Sequence, residues 1–339
     1  MKMMCPARRA SMLVLALWFL FMLSMFAVTL GHQVRQKLLL TKRLDDRARL
    51  HLVFDAAAKH AAAELKKIKD LEFTALAQSW SVNPAFDHAA VGGDVFSLTY
   101  VLDSTYGRGA AEEKRFGMVD EERKININAV QPEVLERLFI LLGLQESPAQ
   151  DLAFSIVDWR DKDSEVSAPS GSAEDSYYRN LSTPYEAKDQ AFEILQELLL
   201  VKGMSPEIFQ KVGEYLTVYG RGQVNINTAS GVVLQALGLN PEVAEKVIGV
   251  RNGKDGFAGT ADDRPFSSVS EVANTVAEAA GLNQMQQAQL AGVCDTQLVT
   301  VQSGNFACLI TAALAGSART YPAACVLSRS GAVMYWQEQ

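Results

Sequence analysis

Histidine and cysteine are scarce in this chain, and their placement removes most catalytic chemistries. Four histidines occur, His32, His51, His60 and His88, all within the first ninety of 339 residues. There is no H-E-x-x-H, no P-loop and no G-x-S-x-G, and Gly220-Arg221-Gly222 has Asn225 where a dinucleotide fingerprint needs its last glycine. Four cysteines occur, Cys5, Cys294, Cys308 and Cys325, without a C-x-x-C, which argues against a zinc site. The last three are either buried small hydrophobes or the source of one disulfide in an oxidising compartment, since three thiols cannot all pair within one chain. A basic excess is lacking too. With 32 Lys and Arg against 39 Asp and Glu, the chain has no cationic surplus for nucleic acid and has carboxylates to offer to cations.

Charge is wholly absent from Ser11 to Gly31. As a helix rising about 1.5 Å per residue, such a run crosses a hydrocarbon core of about 30 Å. A cleaved secretory signal carries its small-residue site after a shorter apolar stretch. Here Ala10 stands before the run, directly after Arg8 and Arg9. That order suits a prepilin-type leader, cut between Ala10 and Ser11 on the cytoplasmic side so that the apolar helix stays as an anchor. An uncleaved anchor and an ordinary signal peptide are the alternatives. Lys2, Arg8 and Arg9 favour an inside N-terminus, while Arg35, Lys37, Lys42 and Arg43 on the other flank weaken that argument.

The helix should continue to about Lys69. Leu40, Leu44, Ala48, Leu52 and Ala56 recur every four residues, a stripe able to lie on a sheet or on a neighbouring helix. Gly92 and Gly93 introduce a β-rich run from Asp94 to Leu102 that ends at Asp103 and Gly107, and a second short strand is expected near Arg115–Val119. From Pro132 to about Leu290 the pattern is helical and carries an imperfect repeat. Lys124-Ile125-Asn126-Ile127-Asn128-Ala129 precedes Leu135 and Leu138, and Gln223-Val224-Asn225-Ile226-Asn227-Thr228 precedes Leu234 and Leu237, with stops at Gly143 and Gly238. Strand patterns return in 297–302, 305–313 and 323–327 and near the end at Val333-Met334-Tyr335-Trp336. Strands on both sides of a helical block describe one sheet domain carrying an insertion. The layout is a leader at 1–10, a transmembrane helix at 11–31, its amphipathic continuation at 32–70, a sheet domain from 71–125 and 293–339, and a helical insertion at 126–292.

Two acidic loops stand out. Asp158, Asp161, Asp163, Glu165, Glu174 and Asp175 fall within eighteen residues around Pro169 and Gly171, and Asp255, Asp262 and Asp263 sit on a Gly-rich turn. Hard cations take six to eight oxygens from loops of this kind, although neither spacing is an EF-hand. Solvated acidic surface with helix caps is the plain alternative.

The stretches Gly117 to Asn128, Asp158 to Asp163 (D-W-R-D-K-D), Gly171 to Tyr178 (G-S-A-E-D-S-Y-Y), Val201-Lys202-Gly203-Met204, Tyr215 to Gly220, Val224 to Thr228 and the closing Tyr335-Trp336 resemble the K-type minor pseudopilins of type II secretion, in order and over nearly the whole chain. The resemblance implies an α+β fold: a pilin-like long N-terminal helix packed on an antiparallel sheet, with a large α-helical insertion. It implies a non-enzymatic protein of the inner membrane, single-pass, with its bulk in the periplasm. Its partners would be I-type and J-type minor pseudopilins, the major pseudopilin, the inner-membrane assembly platform and prepilin peptidase. Pilin-like subunits usually carry Glu at the fifth mature position; here that place is Leu15. Without a carboxylate to meet the amine of a neighbour above it, the subunit would sit at the pseudopilus tip and start assembly. Leu44 and Leu52 are the expected assembly contacts. K-type relatives bind Ca²⁺ in the insertion, which implies Asp161, Asp163, Glu174 and Asp175 as ligands in the first loop and Asp255, Asp262 and Asp263 in the second. The leader departs from the family in having Ala10 where Gly is usual.

The rival reading is a membrane-anchored helix-hairpin-helix DNA-binding protein, because Val224 to Ser230 also resembles such modules. Those offer hairpin amides to phosphate. Here the hairpin is Gly238-Leu239-Asn240-Pro241, short of one glycine and one amide, and Glu242 and Glu245 follow. The sequence therefore favours a scaffold without nucleic acid.

Overall fold

The computed structural model describes residues 7–68, 72–102, 113–167 and 171–338, with 7–11 and 113 traced in backbone only. The leader up to residue 6 with Cys5, the strand end at Asp103 and Gly107, and Pro169 lie outside the described residues. Helix α1 runs Ala7–Lys67, and its stretch from Met12 is long and apolar enough to cross a membrane, with the apolar window fully exposed. The chain divides into two units after Val53.

Within the second unit, the end of α1 buries Phe54, Ala57, Ala58, Ala61 and Leu65. Their three- and four-residue steps track one face of a 3.6-residue helix, and three alanines allow close approach. The His60 ring lies on Phe86 and Phe96, with centroids at 5.2 and 5.9 Å. Leu40, Leu44 and Leu52 of the expected stripe lie in the first unit and are exposed at 58%, 61% and 63%; the helix is exposed on every face from Met12 to Leu44.

The main sheet contains β1 (Ala89–Val91), β2 (Asp94–Leu102), β3 (Glu113–Phe116), β4 (Val119–Asp120), β9 (Asn305–Ala313), β10 (Thr320–Ser328) and β11 (Val333–Glu338). Its order is β1-β2-β9-β10-β11, antiparallel throughout, and the β3–β4 segment passes from β2 to β9. Phe96, Leu98, Tyr100 and Leu102 of β2, and Phe306, Cys308, Ile310 and Ala312 of β9, form the buried face, each at alternate positions. Gly117 links β3 to β4 where a Cβ would stand 2.0 Å from the Ser81 carbonyl oxygen. Only glycine fits there.

The insertion opens and closes on two parallel pairs: β5 (Ile125–Asn126) with β6 (Leu216–Thr217), and β7 (Val224–Asn225) with β8 (Val299–Thr300). Each half of the sequence repeat builds the same unit. In the first, β5 leads to α2 (Pro132–Leu141) and α3 (Glu146–Arg160). In the second, β7 leads to α6 (Gly231–Ala236) and α7 (Pro241–Arg251). Asn126 and Asn225 accept from the amides of Asn128 and Asn227. Arg160 donates to the carbonyl of Ile127, and Arg251 to that of Ile226 at 2.6 Å. Helices α4 (Asp175–Tyr178) and α5 (Pro206–Val212) follow the first unit, and α8 (Val269–Ala280) and α9 (Gln284–Asp295) follow the second. One hydrophobic core runs through both, from Ile125 to Val301 and including Trp159, Tyr178, Phe192 and Phe266. The second unit meets the sheet at Asp120, a fully buried carboxylate that accepts from Thr228 Oγ1 (2.5 Å), Ser303 Oγ (2.7 Å) and Asn225 Nδ2 (3.2 Å).

Candidate metal centre

The repeat places both acidic loops at the same point, after the second helix of each unit. Helix α3 ends at Arg160, whose guanidinium reaches back to the start of its own unit and fixes where the loop begins. Asp158, on the last helical turn, is fully buried and accepts from the Ser167 amide at 3.2 Å. Asp161, Asp163 and Glu174 then converge, with one oxygen from each within 4.8 Å of the others. Glu174 is 3% exposed and stands immediately before α4, yet makes no capping bond. Oδ1 of Asp161 and Oε1 of Glu174 are buried without a hydrogen-bond partner.

Those orphaned oxygens are the informative feature. A buried carboxylate oxygen with no donor is costly, and several beside one another repel. Burial pushes Glu174 up to about 7, with the charges of Asp158 and Asp161 adding to it. Asp161 is raised to about 6 by burial and by Asp163 and Asp158. A cation would supply what the loop lacks: charge of the opposite sign and a partner for each free lone pair. Oxygen-only donors on an irregular loop suit a hard cation.

Asp189 stands near this cluster, and sequence reasoning missed it. Its charge acts on both Asp161 and Glu174, and its Oδ1 is a further buried oxygen without a partner. Its backbone is left-handed, at φ 51°, and its amide donates to the Trp159 carbonyl at 3.1 Å. A non-glycine residue held there is strained, which is common where a side chain must be aimed. Asp175, by contrast, is spent elsewhere. Its Oδ1 accepts from the Ala187 amide at 2.9 Å and its Oδ2 pairs with Arg179 at 2.7 Å, tying α4 to the segment that delivers Asp189.

The second loop is built differently. Asp262 Oδ2 accepts from the amides of Lys254 (2.7 Å) and Asp255 (3.1 Å), and its Oδ1 from Thr260 Oγ1. These bonds hold its carboxyl far below the usual range. Asp263 accepts from Gly259 and Thr260, and Asp255 from Phe257. All three carboxylates brace their own turn, and a cation there would have to replace hydrogen bonds already made.

The remaining expected positions are dispersed. Ala10 and Ser11 lie on α1, described in backbone only. Leu15 is exposed at 57% in the apolar stretch. In the hairpin between α6 and α7, Asn240 Oδ1 takes the Val243 amide at 2.8 Å, Lys246 pairs with Glu242 at 2.8 Å and Arg251 is buried against the Ile226 carbonyl. The donors that a phosphate would need there are occupied.

The family pattern described as "Type II secretion system (T2SS), protein K" matches residues 114–221. That span covers the β3–β4 passage, the first repeat unit and the carboxylate cluster. A protein of Pseudomonas aeruginosa named "Type II secretion system protein K" is 27% identical over 192 residues, 56% of this chain and 57% of that protein. One of the same name from Aeromonas hydrophila is 34% identical over 89 residues, 26% of this chain and 27% of that protein. The matched part is thus little more than half of the first relative and about a quarter of the second. In three dimensions the chain is similar to one from the GspK-GspI-GspJ complex of enterotoxigenic Escherichia coli, with a TM-score of 0.64, 18% identity, and coverage of 88% of this chain and 99% of that one. The likeness establishes the α+β fold, a long N-terminal helix on an antiparallel sheet with a helical region.

Proposed function

We propose, from the match of residues 114–221 to the protein K pattern of type II secretion, that this chain is a non-enzymatic minor pseudopilin at the tip of the pseudopilus. The observation that carries the reading is the pairing of an acid-free apolar helix with a bulky two-unit insertion. With Leu15 at the fifth position after Ala10, the anchor offers no carboxylate to a subunit stacked above it. An insertion of this size is tolerated at the end of a packed helical array and clashes inside its shaft. The helix sits in the inner membrane and the sheet domain and insertion face the periplasm. Prepilin peptidase cuts between Ala10 and Ser11.

Its partners in this reading are I-type and J-type minor pseudopilins, on which the major pseudopilin and the assembly platform then build. The likeness to a chain of the GspK-GspI-GspJ complex supports that choice, and so does the exposed stripe of Leu40, Leu44 and Leu52. The cation is Ca²⁺, held by Asp161, Asp163 and Glu174 with Asp189 completing the set. Its role is to fix the insertion by neutralising a loop that otherwise repels itself.

Co-purification from membranes tests the reading. Tagged full-length chain should retain I-type and J-type subunits, and Leu44→Asp with Leu52→Asp should release them without altering the melting of the periplasmic part. Unchanged retention by the double variant would overturn the assigned surface; absence of both subunits from the unaltered chain would overturn the function.

A further inference from the structure

Cys308 and Cys325 face one another on neighbouring strands at the centre of the sheet. They are register partners in the β9–β10 ladder, and directly opposed residues of an antiparallel pair have Cα atoms about 4.5–5.5 Å apart. A disulfide needs about 4.4–6.8 Å. Both side chains point to the same, buried face, at 0% and 1% exposure, and the two thiols hydrogen-bond to each other. Cys294 is placed otherwise, on α9 in the insertion, half-buried and beside Asp295. Of the three thiols among the described residues, two are aimed at each other and one is not.

We infer that Cys308 and Cys325 are a disulfide-forming pair that closes during folding of the sheet domain and locks β9 to β10, leaving Cys294 as a single thiol. The inference rests on the periplasmic placement proposed above, because structural disulfides persist only in oxidising compartments. The reaction is thiol–disulfide exchange with a disulfide oxidant. One cysteine thiolate attacks the oxidant's disulfide, forming a mixed disulfide and releasing one oxidant thiolate. The second cysteine attacks the mixed disulfide, forming the intrachain S–S bond and releasing the other. The pair loses two protons and two electrons, and the oxidant is reduced to a dithiol. Burial dictates the timing. Once the sheet has packed, neither sulfur is open to an oxidant, so the bond forms before packing is complete and is then shielded from reductants.

The test uses the full-length chain bearing Cys5→Ser and Cys294→Ser, so that only the pair remains. It is isolated from membranes after acid quenching, denatured, and treated with a maleimide-linked polymer with and without prior reduction. The expected result is no polymer added without reduction and two added after it. Peptide mapping should give a linked fragment containing both residues, and reduction should lower the melting midpoint by about 5 °C. In a second arm the reduced, denatured chain is refolded with glutathione disulfide. A bond that forms there while the cellular chain stays reduced upholds the pairing and overturns the periplasmic placement. Two polymer additions without reduction in both arms overturn the pairing.

Discussion

Asn227 grips Phe266 from both sides of its backbone: its Oδ1 accepts from the Phe266 amide at 2.9 Å and its Nδ2 donates to the Phe266 carbonyl at 2.9 Å. Asn128 holds Phe192 in the same way, at 2.7 and 2.9 Å. Each asparagine thus fastens the segment that returns from its acidic loop to the start of its own unit. Asn227→Ala should cost about 3 kcal/mol, because two buried backbone groups lose their partners as well as the bond itself. Asn227→Asp keeps the acceptor but sets a buried carboxylate oxygen against the Phe266 carbonyl, and should cost at least as much at neutral pH. Denaturant unfolding of the two variants checks the order.

Removing the proposed cation should loosen the first loop. In calcium at a hundred times its Kd the ion contributes about 2.7 kcal/mol, so EDTA should lower the melting midpoint by several degrees. Asp161→Asn and Glu174→Gln should abolish that response and raise stability in EDTA, since each removes a repelling charge. Asp189→Ala should weaken calcium binding more than Asp175→Ala, whose carboxyl is already paired with Arg179. Calorimetric titration also counts the ions: one per chain follows from the geometry, and two would assign the Asp262 turn to a second ion.

The sheet domain carries its own pH dependence. Glu122 accepts from the Asn305 amide and Nδ2, and burial, with the neighbouring charge of Asp120, pushes it up to about 7. The folded chain therefore holds a proton that the unfolded chain releases near 4.5. That stabilisation is complete below the unfolded value and is lost as pH rises through the folded one, a fall of roughly 2 kcal/mol between pH 5 and 8. Glu122→Gln should flatten the decline. Melting curves of both forms in the same EDTA buffer give the difference, in which the titration of the first loop, where Glu174 and Asp161 are also raised, is common to both and cancels.

Gly117→Ala should destabilise by about 3 kcal/mol. The added methyl would lie 2.0 Å from the Ser81 carbonyl oxygen and 2.9 Å from that of Trp80, both backbone atoms. The Met118 amide bonds to the same Trp80 carbonyl at 2.8 Å, so the segment cannot retreat without breaking a second contact. Chemical denaturation of the variant is sufficient.

Much of this was written into local pattern. β2 spans Asp94–Leu102 and β9 Asn305–Ala313, as their alternation requires, and the Asn-x-Asn repeat announced two equal units. The acidic cluster was legible where its members are close in sequence. Asp189 was not, because it comes fifteen residues after Glu174 as an ordinary acid beside Lys188, and only the fold returns it to Trp159. Asp175 looked equivalent to Glu174 by adjacency, but successive residues at a helix start point in different directions, and Arg179 one turn on claims it. Leu44 and Leu52 give the regular step that shows in the sequence, whereas the residues buried at the end of α1 include three alanines, which let backbones approach and carry little signal of their own.

The pairing of Val95 with Ala313 sets an order of events at the ribosome. β2 is made early, yet its neighbour β9 follows the entire insertion, so the sheet cannot be joined until the chain is almost finished. The two helical units, whose contacts are more local, can condense first. Meanwhile Phe96 and Leu98 wait uncovered on a nascent chain already tethered by its first helix. Synthesis of the last forty residues is therefore the committing step, and a chain stalled before β9 would present an open, apolar strand edge to its neighbours.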